Sequence, residues 1–241
     1  MGRHGTIAGR KAAQDVKKAA FFTKYARAII VAAKAGGDPE YNFALKHAID
    51  KAKSINMPHD NIARAIKKGT GELTGETYES GSFEGYGAGG VAVIVDILTD
   101  NKNRTTSLVK HAFDKYGGNI GVPGCVSYMF ERKGIILIEK AAGVNEDKLM
   151  ETALEAGMDD MVSYEDSFEI QTHPDSFKSV AEALKGDGYE FALADIEYIP
   201  SMESAPTDES DIKNLRKMID VLEDIDDVQK VYTNCSINLT E

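Results

Sequence analysis

Three features of this 241-residue chain predict an α+β protein with a helical N-terminal domain followed by two ferredoxin-like α/β domains, one inserted in the other. Residues 1–76 read as successive amphipathic helices. Residues 134–200 run strand, helix, strand, strand, helix, strand, the order of a split β-α-β unit. A strand and helix before that unit are answered by a helix and strand after it, so residues 77–133 and 201–241 pair up as one discontinuous domain around the insert.

Residues 10–35 are rich in Ala, Lys and Arg without Pro or Gly, which favours one helix or two. Phe22, Tyr25, Ile29 and Ala33 recur at spacings of three and four and form the expected buried stripe. Gly36 and Gly37 stop this helix, and Asp38-Pro39 opens a turn able to cap the next. Over 41–54, Leu45, Ala48, Ile49 and Ala52 keep helical spacing. Pro58 suits the first turn of a third helix, with Asn56 as a candidate cap, Ile62 and Ile66 inward, and Gly69 as a stop.

Residues 69–90 are Gly-, Thr- and Ser-rich, a linker with room for a short strand at 78–83. Residues 91–98 are β-branched and read as a buried strand. Residues 103–106 can cap a helix to Tyr116 with Leu108, Ala112 and Phe113 inward, followed by a strand at 126–132. Within the insert, strands are expected at 135–138, 161–164, 168–171 and 191–198, with helices at 145–156 and 174–184. The tail supplies a helix at 208–222 and a strand at 228–233.

Charge divides the chain sharply. Residues 1–71 hold fourteen Lys and Arg against five Asp and Glu, a balance of +9, whereas the other 170 residues hold fourteen against 34, a balance of −20. A basic lobe on an acidic body fits a protein that meets a polyanion at one end, nucleic acid being the first candidate. Lys17, Lys24, Arg27 and Lys34 fall on one helix face, away from the apolar stripe. The candidate contacts are Arg10, Lys11, Lys17, Lys18, Lys24, Arg27, Lys34, Lys46, Lys53, Arg64, Lys67 and Lys68. Two other readings stand beside this one. The lobe can dock on the acidic body of its own chain, and Lys67 and Lys68 can serve only to complement the end of their helix.

Other chemistry is less well supported. The run Gly85-Tyr86-Gly87-Ala88-Gly89-Gly90 has the spacing G-x-G-x-x-G, but it leads into a strand, and a phosphate-cradling loop has to open a helix. Asp159-Asp160 and Asp226-Asp227 read as turn residues. The five His residues are scattered, and Cys125 and Cys235 read as free thiols of a reducing compartment. No metal, cofactor or catalytic residue is expected. Neither a signal peptide nor a membrane span is legible, so a cytosolic protein is expected.

Several runs in order add a further reading. Gly9-Arg10-Lys11-Ala12-Ala13-Gln14-Asp15, Ala32-Ala33-Lys34-Ala35-Gly36-Gly37, Asn56-Met57-Pro58-His59-Asp60-Asn61-Ile62, Glu84-Gly85-Tyr86-Gly87, Leu98-Thr99-Asp100-Asn101-Lys102-Asn103-Arg104-Thr105 and Gly117-Gly118-Asn119-Ile120-Gly121 resemble the YebC/PmpR family, which includes the mitochondrial translational activator of cytochrome c oxidase. His59 departs from the Lys more usual there. The resemblance implies a non-enzymatic regulator of gene expression. Its target would be DNA, for a transcriptional regulator, or ribosomal RNA, for a translation factor at the ribosome. A third class, an α/β enzyme or small-ligand binder, would use a cleft between the two expected ferredoxin-like units. Target sequence and oligomeric state are left open.

Overall fold

The computed structural model describes residues 18–75, 77–140, 144–237 and 239. In chain order the elements are α1 (Lys18–Ala33), α2 (Phe43–Ser54), α3 (His59–Gly69), β1 (Glu79–Tyr86), β2 (Ala92–Thr99), α4 (Lys102–Lys115), β3 (Asn119–Ile120), β4 (Phe130–Glu139), α5 (Glu146–Glu155), β5 (Met158–Ser163), β6 (Ser167–Thr172), α6 (Phe177–Gly186), β7 (Leu193–Pro200), α7 (Glu209–Glu223) and β8 (Val228–Thr233). Contacts divide the described chain into two units. One holds Phe130–Met202, and the other holds the helices and strands on either side of it.

In the larger unit α1 is the hub of the helices, because α2 and α3 both pack against it. Ile29, Ile30 and Ala33 of α1 meet Leu45, Ala48, Ile49 and Ala52 of α2 and Ile62 and Ala65 of α3, with Phe22, Tyr25 and Ile66 half-buried at the margin. Two caps differ from expectation. Asn42 caps α2 by accepting from Leu45 N, and its amide donates to Ala32 O and Gly36 O, so one side chain ties the end of α1 to the start of α2. Asp38 instead forms a local turn with Glu40 N. Asn56 does not cap α3; it adopts φ 60° just beyond α2, a left-handed conformation that Asn tolerates.

The helix ends at Gly69 as expected, and the glycine is also a packing residue. A Cβ there would lie 2.4 Å from Ile30 O and 2.6 Å from Ala33 Cβ, so its missing side chain is what lets α3 lie against α1.

The same unit contains an antiparallel sheet of order β3-β1-β2-β8. Val93, Val95 and Ile97 of β2 pack with Val109, Ala112 and Phe113 of α4 and Leu215, Met218 and Leu222 of α7. Leu108, expected inward, is exposed, and Thr105 and Val109 take the inner face. Asn101 rather than residues 103–106 caps α4, accepting from Arg104 N. The glycine run joins β1 to β2 across a short 3-10 turn, Ala88–Gly90, and opens no helix. At Gly85 a Cβ would sit 2.4 Å from Asn119 O of the neighbouring strand, which explains a glycine there without any ligand.

The second unit is a split β-α-β sheet of order β5-β6-β4-β7. Ile136 and Ile138 pair with Ile170 and Phe168, and these four are buried, as are Leu149 and Ala153 of α5 and Val180 and Leu184 of α6. The end of the strand expected at 126–132 and the strand expected at 135–138 are one continuous β4, paired with β7 from Phe130↔Pro200 to Leu137↔Leu193, while Ser127–Met129 form a 3-10 turn instead of strand. Gly134 sits inside that strand because a Cβ would press on Thr172 Oγ1 and the Phe177 ring. Asp159 and Asp160 lie in β5 at a register shift rather than in a turn.

With 126–132 withdrawn, the first sheet takes its remaining strand from β1, which precedes β2 in the chain. Read from β2, the order β8-β2-β1-β3 is still that of a ferredoxin-like sheet, with β4–β7 inserted between β3 and α7.

Candidate nucleic-acid interface

The basic residues fall into three groups. Arg10, Lys11 and Lys17 lie outside the described residues, and Lys18 opens α1. The second group is the α1 stripe, whose charged tips are engaged within the chain. Lys24, 8% exposed, donates to Glu223 O at the end of α7 at 2.7 Å. Arg27 donates to Asp227 Oδ1 at 2.8 Å and to Asp226 O, and its guanidinium lies 5.3 Å from the centre of the Tyr78 ring. Lys34 donates to Tyr78 O at 3.0 Å.

Asp227 organises this junction. Its carboxylate, 2% exposed, also accepts from Arg104 at 2.8 Å and from Thr105 Oγ1 at 2.7 Å, and Arg104 pairs in turn with Asp100. Burial opposes ionisation of Asp227. The hydrogen bonds from Arg104 and Thr105 and the charges of Arg27 and Arg104 overcome it, holding the pKa below the usual carboxylate value. Asp227 lies in the turn before β8, as expected, and is also the buried tie between the helices and the first sheet. Its partners sit about 120 and 200 positions away, so local sequence carried no signal of them.

The third group faces outward. Lys53, Arg64 and Lys67 are exposed and Lys68 half-exposed, and among the described residues none of the four has an ion pair. Lys46 comes only within 3.7 Å of an exposed Glu40, a pair of little energetic weight. Arg64 and Lys68, one turn apart on α3, line a groove of about 310 Å³ together with Asn61, Phe22, Thr23, Ala26, Arg27 and Tyr78. Of these, Phe22, Asn61 and Tyr78 were missed as site residues by the sequence reading.

A second device holds a loop of the same unit. Glu84 on β1 accepts from the backbone N–H groups of Gly124, Val126 and Ser127, and Tyr86 donates its hydroxyl to Cys125 O. Burial raises the Glu84 pKa and these bonds lower it, with a net depression. Among the described residues no three of His, Cys, Asp and Glu are grouped so as to hold a metal ion, and no helix is long and apolar enough to cross a membrane.

A ferredoxin-like sheet with a second one inserted in its chain, preceded by helices with an outward basic face, defines a class of α+β protein. The model for the TACO1/YebC protein N-terminal domain matches residues 3–72, and that for the TACO1/YebC second and third domain matches residues 78–235; the chain belongs to this family. It is 56% identical to a probable transcriptional regulatory protein of Clostridioides difficile, across 98% of this chain and 100% of that one. It is 50% identical to one of the same description from Geobacter sulfurreducens, across 98% and 95%. Among solved structures it is similar to a conserved hypothetical protein of Aquifex aeolicus, with a TM-score of 0.82 at 45% identity over 93% of this chain and 92% of that one.

Proposed function

We propose that this protein is a non-enzymatic, nucleic-acid-binding regulator of gene expression, acting on transcription through DNA in the cytoplasm. The observation that carries this reading is the cation set left over on α2 and α3. Once Lys24 and Arg27 are spent on the chain's own C-terminal segment, Lys46, Lys53, Arg64, Lys67 and Lys68 still present positive charge to solvent. Such side chains neutralise phosphates and release counterions, with a salt slope of about −0.9 per phosphate contacted, or about −4 to −5 for five contacts. The names of the relatives support transcription as the process.

A second reading, translation through ribosomal RNA, is favoured by the packing of the helices. A helix-turn-helix reader packs its recognition helix on the helix before it, whereas α2 and α3 pack on α1 far more than on each other.

Sedimentation of cell extract through sucrose gradients at low and high salt tests both. A DNase-sensitive association with chromosomal fragments is the result expected for transcription. Salt-sensitive co-migration with ribosomes that survives DNase replaces it with the translation reading, and absence from both pools removes the proposal.

A further inference from the structure

The groove between α1 and α3 combines features that an exposed basic face lacks. Arg64 and Lys68 stand one turn apart along one wall, with the Asn61 amide one turn before Arg64. Phe22 and Tyr78 contribute aromatic surface, and the Arg27 guanidinium over the Tyr78 ring adds a planar cation. Because Arg27 is already neutralised by Asp227, the net positive charge of the groove comes from Arg64 and Lys68. The walls are held firmly, since Gly69 seats α3 directly on the α1 backbone and Ile30 and Ala65 back the groove from the core.

From this geometry we infer that the groove is a subsite for one unpaired nucleotide of a single-stranded nucleic acid, its phosphate on Arg64 and Lys68 and its base against the Phe22 and Arg27–Tyr78 wall, within reach of Asn61. The inference rests on the nucleic-acid-binding reading above and names the form of ligand it takes. Three physical arguments select a single strand. A duplex hides its base faces, so aromatic surface in a concavity gains nothing from it, whereas unpaired bases stack on aromatic rings and on guanidinium planes. A positively charged groove with aromatic side chains is the general solution for single strands. The volume, about 310 Å³, is at the lower edge of the about 300–1,000 Å³ typical of small-ligand sites, which suits one nucleotide and not a dinucleotide cofactor. RNA and DNA single strands share this chemistry.

The test uses the full-length protein and fluorescein-labelled twelve-residue oligo-rU and oligo-dT, with an unlabelled DNA duplex as competitor. Fluorescence anisotropy is read from low to moderate salt. Tyr78→Leu is expected to weaken binding by between about 5-fold and about 150-fold, the range for loss of one stacked base, while Tyr78→Phe retains it. The double variant Arg64→Ala/Lys68→Ala, at positions outside the core, is expected to lower the salt slope by about 0.7, the contribution of one phosphate of a single strand. A 2-aminopurine placed in the strand is expected to be quenched by the wild type and by Tyr78→Phe but not by Tyr78→Leu. Tighter binding of rU identifies RNA as the source of the strand and tighter binding of dT identifies DNA.

Unchanged affinity and slope in Arg64→Ala/Lys68→Ala, alongside binding abolished by reversal of Lys46, Lys53 and Lys67, overturns the subsite while leaving the regulator reading intact. Equal competition by the duplex also overturns it. Failure of the wild-type protein to bind either labelled single strand overturns the subsite, and failure to bind the duplex as well, labelled in turn, removes the regulator reading itself.

Discussion

Arg27 on the first helix and Asp227 just before the last strand are 200 positions apart in the chain, and their side chains meet at 2.8 Å. This contact, with Lys24 on Glu223 O and Arg104 on the same carboxylate, joins the helices to the first sheet. Truncation in Asp227→Ala leaves the Arg27 side chain, 12% exposed, without its counter-charge. Breaking one side of a buried pair costs about 3–5 kcal/mol, so urea unfolding is expected to show a loss of that order. A change below about 1 kcal/mol would mean the junction is held by something else.

The same carboxylate sets a pH dependence. The pKa of Asp227 is depressed in the folded protein, so its contribution is fully present above the unfolded value of about 3.9 and is lost as pH falls through the lower folded value. The stability difference between wild type and Asp227→Asn is therefore expected to stay constant from pH 7 to about pH 5 and to shrink below about pH 4. A difference that instead shrank between pH 6 and 8 would assign the effect to another group.

Charge reversals should separate structural from binding cations. Reversal of Lys46, Lys53 and Lys67 to Glu is expected to leave the melting temperature within about 2 °C of wild type, as surface substitutions do, and to abolish retention on heparin. Reversal of Lys24 and Arg27 is expected to lower stability first, because it sets carboxylates against Glu223 O and Asp227. Heparin retention lost only in the second variant, with the fold intact, would return α1 to the binding surface.

Gly69→Ala tests the helix contact. The added methyl meets Ile30 O and Ala33 Cβ well inside van der Waals distance, and overpacking of this kind costs about 1–3 kcal/mol. Ala33→Gly in the same chain is expected to recover only part of the loss, since the backbone oxygen cannot move aside. Thermal unfolding of the two variants measures it.

Glu84→Ala removes the acceptor for three backbone N–H groups of one loop. Hydrogen exchange at Gly124, Val126 and Ser127 is expected to accelerate, with a stability loss of about 1–3 kcal/mol. Protection unchanged at these amides would show that the carboxylate does not hold the loop.

Much of the fold was written locally. Leu45, Ala48, Ile49 and Ala52 announced α2 by their spacing and are all buried, Asn145 caps α5 as expected, and the 228–233 strand lies at the same residues as β8. Periodicity and capping act within a turn or two of chain, which is why sequence carries them. The site was legible only in its sign. The +9 lobe follows from counting charges, yet which cations face solvent depends on carboxylates about two hundred residues away.

The sequence alone thus determined the helices and most of the strands, the ferredoxin-like insert and the basic beginning, because propensity, hydrophobic spacing and net charge are local quantities. Only the tertiary structure decided that Lys24 and Arg27 are committed to the chain itself, that Asp227 is their buried partner, that β4 runs unbroken through Gly134, and that Arg64, Lys68 and Tyr78 share one groove. Those outcomes depend on packing between distant segments, where the space left by a missing Cβ or the approach of one carboxylate outweighs any local preference.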